Sequence, residues 1–228
     1  IDNPGKVAEY IYSCRQMGIK ILPPDINHGY SSFSADNGSI RYGLAAIKSI
    51  GRPVIKEIVA ERKANGEFKN LKDFIERMSG KDINKRTIEN FIKSGAFDEL
   101  GGTRKQFMVI YVQILDQVNR EKKNSMTGQM SLFDIVGEEQ KSEFDIPLPN
   151  VGEYEKSTKL AFEKEVLGIY LSGHPMEEYE EQWRKGISKT TQDFQFDEEL
   201  GFSRVSDGAA EIIGGIIASK TIKYTKNN

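Results

Sequence analysis

The chain has 228 residues, which fits one or two domains, and its 32 Lys and Arg against 34 Asp and Glu leave a formal net charge of −2. With 38% apolar residues it has no run near the roughly 18 needed to span a membrane. The single cysteine, Cys14, excludes a disulfide scaffold and fits a reducing cytoplasm, and 12 Phe with 9 Tyr are enough core-forming side chains to exclude wholesale disorder.

The opening residues IDNPGKVAEY carry no starting Met, apolar signal region or transit pattern, and read as the beginning of a piece of something longer. Residues 6–17 have helical character, stopped by Gly18. IKIL (19–22) predicts a strand closed by Pro23-Pro24, and SSFSADNGSIRY (31–42) predicts a hairpin turning at Asp36-Asn37-Gly38. From Gly43 the pattern becomes short, clearly punctuated helices. Pro53 opens one that carries Val54, Ile55, Ile58 and Val59 and ends at Asn65-Gly66. Asn70 caps the next, whose inward face is Leu71, Phe74, Ile75 and Met78 at i, i+3, i+4, i+7, and Gly80 stops it. A further helix from about Asn84 turns Ile88, Phe91 and Ile92 inward and ends at Gly95. Thr103 and Gln106 form a capping box ahead of a helix burying Phe107, Ile110, Tyr111, Ile114 and Val118. The stretch 124–150 has no long period and reads as a linker. Helix returns over Ser157–Ser172, is broken at Gly173-His174-Pro175, and resumes over 176–184 with Met176, Tyr179 and Trp183 on one face. The final AEIIGGIIASKTIKYTKNN reads as one strand and the start of a second.

The neutral total conceals a split. Residues 41–123 hold 18 basic and 11 acidic side chains, whereas residues 124–212 hold 8 basic and 19 acidic. A basic block followed by an acidic one suits a polyanionic partner on the first half only.

Within the basic block, GLAAIKSIGRPVIKEIVAER (43–62) has the layout of two helices joined by a tight hairpin, Lys48-Ser49-Ile50-Gly51. Main-chain N–H groups at such a turn and at the helix N-terminus behind it converge on one spot and favour an anion. Gly51 lets the backbone approach a phosphate oxygen with no side chain between. Ile50 plugs the turn into the core, and Lys48, Arg52 and Lys56 surround the spot with positive charge. Contacts of this kind fix position on a nucleic acid without reading its sequence. The pattern departs from its usual form in having Ser49 where a second glycine is common. A looser hairpin spans MSGKDINK (78–85), where Gly80, Lys81, Lys85 and Arg86 are the candidate contacts.

The linker contains one apolar knot, Gln129-Met130-Ser131-Leu132-Phe133. Fully burying Leu132 and Phe133 releases roughly 3–6 kcal/mol by transfer arithmetic, most of which association entropy takes back for a free peptide. Tethering restores affinity through effective concentration, and Gln129 supplies an amide to fix the register. On composition alone the pair is equally suited to folding back on the chain's own helices.

Six stretches, ILPPDIN (21–27), IRYGLAAIKSIG (40–51), IVAERKANGEFKNLKDFIERM (58–78), NKRTIENFIKSGAFDEL (84–100), QMSLF (129–133) and FEKEVLGIYLSGHPMEEY (162–179), together resemble, in order and spacing, the alpha subunits of bacterial DNA polymerase III, the C-family replicative polymerases. The resemblance implies a mainly α fold: the end of a fingers domain with a small strand hairpin (1–42), a tandem helix-hairpin-helix DNA-binding domain (43–123), a linker with a clamp-binding motif (124–156), a helical connector (157–207) and a truncated OB-like β start (208–228). It implies that Gln129, Met130, Ser131, Leu132 and Phe133 bind the beta sliding clamp and that Lys48, Ser49, Ile50, Gly51 and Arg52 form the first DNA-binding hairpin. It places the family's catalytic aspartates and their Mg2+ ions upstream of residue 1, so the expectation here is no catalytic residue, no metal site and no cofactor. The implied partners are duplex DNA, the beta sliding clamp and other replicative polymerase subunits, in the bacterial cytoplasm. Two other readings of the residues are a helix-hairpin-helix accessory module of a repair enzyme or nuclease, and a protein-interaction scaffold. His174, between glycine and proline, reads as holding a turn, and Glu177, Glu178, Glu180 and Glu181 as a solvated helix face.

Overall fold

The computed structural model describes residues 4–126, 146–197, 201–217 and 220–223. They form two compact units, 1–172 and 173–228, a division that falls inside the stretch expected as a connector. Among the described residues no helix is long and apolar enough to cross a membrane.

The first unit opens with α1 (Pro4–Gln16), followed by β1 (Ile21–Leu22), β2 (Ser34–Asp36) and β3 (Ser39–Arg41). β2 and β3 pair antiparallel with Asp36 opposite Ser39, and β1 pairs parallel to β3 with Ile21 opposite Ile40. The hairpin turns on Asn37 and Gly38, at φ 48° and 77°. Positive φ at both central residues matches the twist of the strands, the reason Asn-Gly is favoured there.

A single 3-10 turn, Leu44–Ala46, leads into α2 (Arg52–Asn65), α3 (Leu71–Met78), α4 (Lys85–Ser94) and α5 (Arg104–Met126). Their ends obey local chemistry. The Asn70 side chain accepts the Asp73 N–H at 2.9 Å, the Asn84 side chain accepts the Thr87 N–H at 3.0 Å, and Thr103 and Gln106 exchange reciprocal hydrogen bonds of 3.1 and 2.9 Å. Each satisfies a donor the helix itself leaves open. Every apolar position assigned inward on α3, α4 and α5 is buried, and Leu115 joins them. Phe68, Phe74, Phe91 and Phe97 meet as an aromatic knot, with the Phe74 centroid 5.0, 5.9 and 4.9 Å from the other three.

After the linker the chain returns to the N-terminus of α5. Gln106 Nε2 donates to the Pro149 carbonyl at 3.0 Å, Thr103 Oγ1 to that of Gly152 at 3.0 Å, and Glu153 accepts the Arg104 and Lys105 N–H groups at 3.2 Å each. The next helix, α6 (Lys156–Leu167), packs on α4 and is shorter than expected: Gly168, at φ 79°, ends it rather than Ser172. The physical reason is Glu163. Its side chain is 1% exposed, and its Oε2 accepts the Leu171 and Ser172 N–H groups at 2.9 Å each while Oε1 lies 3.4 Å from Arg104 Nη1. Residues 169–172 therefore turn back onto this carboxylate instead of continuing the helix.

A second carboxylate ties the hairpin helices together. Glu61 of α2 accepts from Lys81 Nζ at 2.6 Å, Asn65 Nδ2 at 2.6 Å and Arg77 Nε at 3.2 Å.

In the second unit, the 3-10 turn Glu177–Tyr179 precedes α7 (Glu180–Gly186), shorter than the expected 176–184 helix at its start, and β4 (Phe196–Asp197) pairs antiparallel with β5 (Phe202–Ser203). His174 holds its turn, accepting the Met176 N–H on Nδ1 at 3.1 Å. Glu177, Glu178, Glu180 and Glu181 are exposed. Where two strands were expected, residues 209–217 and 220–223 form no ladder. The segment hydrogen-bonds instead to the stretch after α7: Ser188 N–H donates to the Ile212 carbonyl at 2.9 Å and Trp183 Nε1 to that of Gly214 at 2.9 Å. These bonds take groups a sheet partner needs.

The hydrogen bonds from Lys81 and Asn65, with that of Arg77, hold the Glu61 carboxyl at about 2 against an ordinary 4.5. A depressed folded-state value gives stability that is complete above the ordinary value and lost as pH falls toward 2. Melting temperature followed from pH 5 to pH 2 should therefore fall less steeply for Glu61→Gln than for the unaltered chain.

Candidate nucleic-acid interface

The first hairpin is built from behind. Asn90, buried on α4, donates its Nδ2 to the Lys48 carbonyl at 2.7 Å, and the Lys48 N–H donates to the Val166 carbonyl of α6 at 2.8 Å. Ile50 is 7% exposed and its N–H closes onto the Ile47 carbonyl at 3.2 Å. With the hairpin pinned by these three contacts, Lys48, Ser49, Gly51 and Arg52 lie at the surface.

What the pinning leaves open is a set of donors. α2 begins at Gly51 with no side-chain cap, and the N–H groups of Ser49, Gly51 and Arg52 have no hydrogen-bond partner among the described residues. A helix start without its own cap is an anion site waiting for an external acceptor. Lys48, Arg52 and Lys56 are exposed and have no ion pair among the described residues.

Two backbone angles refine the sequence reading. Ser49 sits at φ 64°, so the position that often carries glycine does adopt the left-handed conformation, at a cost of about 1–2 kcal/mol for a side chain with a Cβ. Gly51 is at φ −75° and ψ 146°, ordinary for a helix cap, and a Cβ there would meet only Pro53 Cδ at 3.5 Å. The fold does not require glycine at 51; only a close approach from outside does.

The second hairpin, residues 79–84, is organised differently. Gly80, at φ 84°, ends α3 and lies under the Lys122 ammonium, which donates to the Ser79 carbonyl at 2.9 Å. Lys81 is held by Glu61, and Lys85 lies 3.4 Å from Asp116 of α5. Arg86 is exposed and without an ion pair among the described residues. The proposed clamp-binding residues, Gln129, Met130, Ser131, Leu132 and Phe133, lie outside the described residues.

Two features escaped the sequence reading. Asn90 sits between Glu89 and Phe91 and looks like another polar helix position; its only signal is that it follows Thr87 by three and precedes Ser94 by four, on a face that is buried. Asp25, His28 and Glu99 come together from distant stretches, offering ligand atoms within 4.8 Å of one another. Asp25 Oδ1 already accepts the Asn27 and His28 N–H groups at 2.8 and 2.6 Å and faces His28 Nδ1 at 3.0 Å, so hydrogen bonding accounts for the arrangement.

The helix-hairpin-helix motif family matches residues 18–107, which contain both hairpins. Over longer stretches the chain is similar to proteins named DNA polymerase III subunit alpha. It is 37% identical to that of Mycobacterium leprae over 175 residues, 77% of this chain and 15% of the relative. It is 33% identical to that of Saccharopolyspora erythraea over 234 residues (99% and 19%), and 40% identical to that of Campylobacter jejuni over 187 residues (79% and 15%). The chain thus spans less than a fifth of the length of these relatives. Such identity, running through both hairpins and beyond them, means that the chain belongs to the family of bacterial DNA polymerase III alpha subunits and corresponds to the region that carries its helix-hairpin-helix motif.

Proposed function

We propose that this chain is the duplex-holding and clamp-tethering stretch of a replicative DNA polymerase, serving processivity rather than the chemistry of nucleotide addition. The observation that carries the first half is the pinned hairpin at 48–52: three open amides, an uncapped helix start and three unpaired cations around one exposed glycine. Phosphate is the ligand whose charge and size suit that set, and duplex DNA presents it repeatedly. The second half rests on Leu132 and Phe133 in an otherwise polar linker, matching the motif by which the family engages the beta sliding clamp. In this reading the catalytic aspartates and their Mg2+ belong to parts of the parent polymerase outside this chain, the other replicative subunits are partners of that parent, and its place is the bacterial cytoplasm.

Two substitutions separate the halves. Gly51→Asp supplies α2 with a side-chain cap, and that same carboxylate occupies the anion position. Its melting temperature should hold or rise, while duplex affinity at low salt drops by about tenfold or more, equal to about 1.4 kcal/mol. A loss of stability without loss of DNA binding refutes the phosphate site. Leu132→Ala with Phe133→Ala should abolish capture on an immobilised sliding clamp and leave duplex affinity unchanged. Capture that survives the double substitution assigns the pair to the chain's own packing.

A further inference from the structure

We infer that the two hairpins do different work: the first alone holds the phosphate backbone, and the second is an internal brace in which Glu61 withholds Lys81 from DNA. The inference rests on the duplex-holding reading above and divides it between residues.

The charge at the second hairpin is largely committed within the fold. Lys81 Nζ lies 2.6 Å from Glu61 Oε2 and 3.9 Å from Glu57 Oε2, with the Lys81 and Glu61 side chains only 29% and 14% exposed. Glu61 is fixed in turn by Asn65 and by Arg77, whose Nη1 also lies 3.2 Å from Asp73. Lys85 is paired with Asp116. A lysine already neutralised by a carboxylate releases few counterions on meeting a phosphate, and moving it away exposes that carboxylate to the same phosphate. The loop itself adds a negative charge, the exposed Asp82 at φ 57°. Arg86 is the cation of this set left without a pair.

The main chain differs as well. α4 starts with a cap in place, since the Asn84 side-chain oxygen takes both the Thr87 N–H at 3.0 Å and its Oγ1–H at 3.2 Å; α2 has none. The second hairpin instead joins three helices to one another: Lys81 reaches α2, Lys85 reaches α5, and Lys122 of α5 reaches the Ser79 carbonyl. These contacts make it a junction of the protein with itself, where the first hairpin turns its open donors outward.

The test is the salt dependence of duplex binding by the full 228-residue chain, with log K plotted against log salt. Each phosphate neutralised contributes about 0.9 to the slope. Lys48→Ala with Arg52→Ala should reduce the slope by about 0.9 per cation removed. Lys81→Ala with Lys85→Ala should leave it unchanged; Lys81→Met, which keeps the apolar stem, gives the same comparison where the alanine variant melts early. Glu61→Gln should raise the slope by about 0.9 and tighten binding several-fold by freeing Lys81. Glu9→Gln, the same charge change on exposed α1, should do neither. A slope that falls in the 81/85 variant overturns the division of labour and leaves the duplex-holding reading standing. A Glu61→Gln chain indistinguishable from Glu9→Gln overturns the withholding role. If the 48/52 variant binds as tightly and as steeply as the unaltered chain, the duplex-holding reading itself fails.

Discussion

Everything exposed at the first hairpin depends on two hydrogen bonds that are not exposed at all. Lys48 has its carbonyl held by Asn90 and its N–H held by the Val166 carbonyl, so one residue is fixed from α4 and from α6 at once. Only a main chain so held can present neighbouring N–H groups to solvent without relaxing onto internal acceptors. Preorganisation of this kind matters for a phosphate ligand, because donors already in place need no ordering when the anion arrives. The aromatic knot around Phe74 is what makes the fixing rigid, since α3 and α4 share it through Phe74 and Phe91. α6 is held by a separate device, the buried Glu163 and Arg104 pair that joins it to the start of α5. Packing energy far from the surface therefore sets the position of three amides at the surface.

The structure also separates net charge from available charge. The block 41–123 has a surplus of seven positive charges in its sequence. Much of it is internal accounting: Arg77 and Lys81 on Glu61, Lys93 on Glu89 and Glu165, Arg104 on Asp98. Arg62, buried, donates to the Ile26 carbonyl and lies over the Tyr30 ring. Such pairs hold helices together and contribute little to a distant anion, because each is close to neutral seen from outside a Debye length. The cations without pairs at the first hairpin are few, but they stand beside open amides. An anion site needs both; a count of Lys and Arg sees neither the pairing nor the amides.

What could be read in the sequence follows from the range of the forces involved. Helix starts at Asn70, Asn84 and Thr103 were legible because capping acts over three residues. The inward sets on α3 and α5 were legible because helical period is local, and Asn37-Gly38 because two positive φ values in a row admit few residues. The hairpin was legible as a pattern, Ile50 inward between exposed Ser49 and Gly51. Beyond that range the sequence is silent. Glu163 reads as one acid among many in an acidic stretch, yet it is buried and stops α6 by drawing Leu171 and Ser172 back. Lys81 reads as a free cation until Glu61, twenty residues earlier, is found beside it. The C-terminal isoleucines read as strand by composition, but a strand is defined by its partner, and here Ser188 and Trp183 take the main-chain groups first.

The same connectivity bears on the linker. α5 has 23 residues and is therefore roughly 35 Å long. The chain leaves at its C-terminal end, beyond Met126, and is fastened again near its N-terminal end through Pro149, Gly152 and Glu153. The intervening stretch is thus a loop tied at both ends that must cross the length of α5, and even fully extended it has roughly twice the contour it needs. Gln129 to Phe133 follow Met126 by three to seven residues, so they stay within about 25 Å of the end of α5, where Lys122 meets the second hairpin. A binding peptide in this position is confined to a small volume, which raises its effective concentration toward a ring threaded by the same duplex that the first hairpin holds. The slack lies on the far side of the motif, so a docked peptide leaves room for the return to Pro149 without dragging α5 out of its core. Tight anchorage at one end and spare length at the other is the arrangement that lets one chain hold DNA and a clamp together without either contact straining the other.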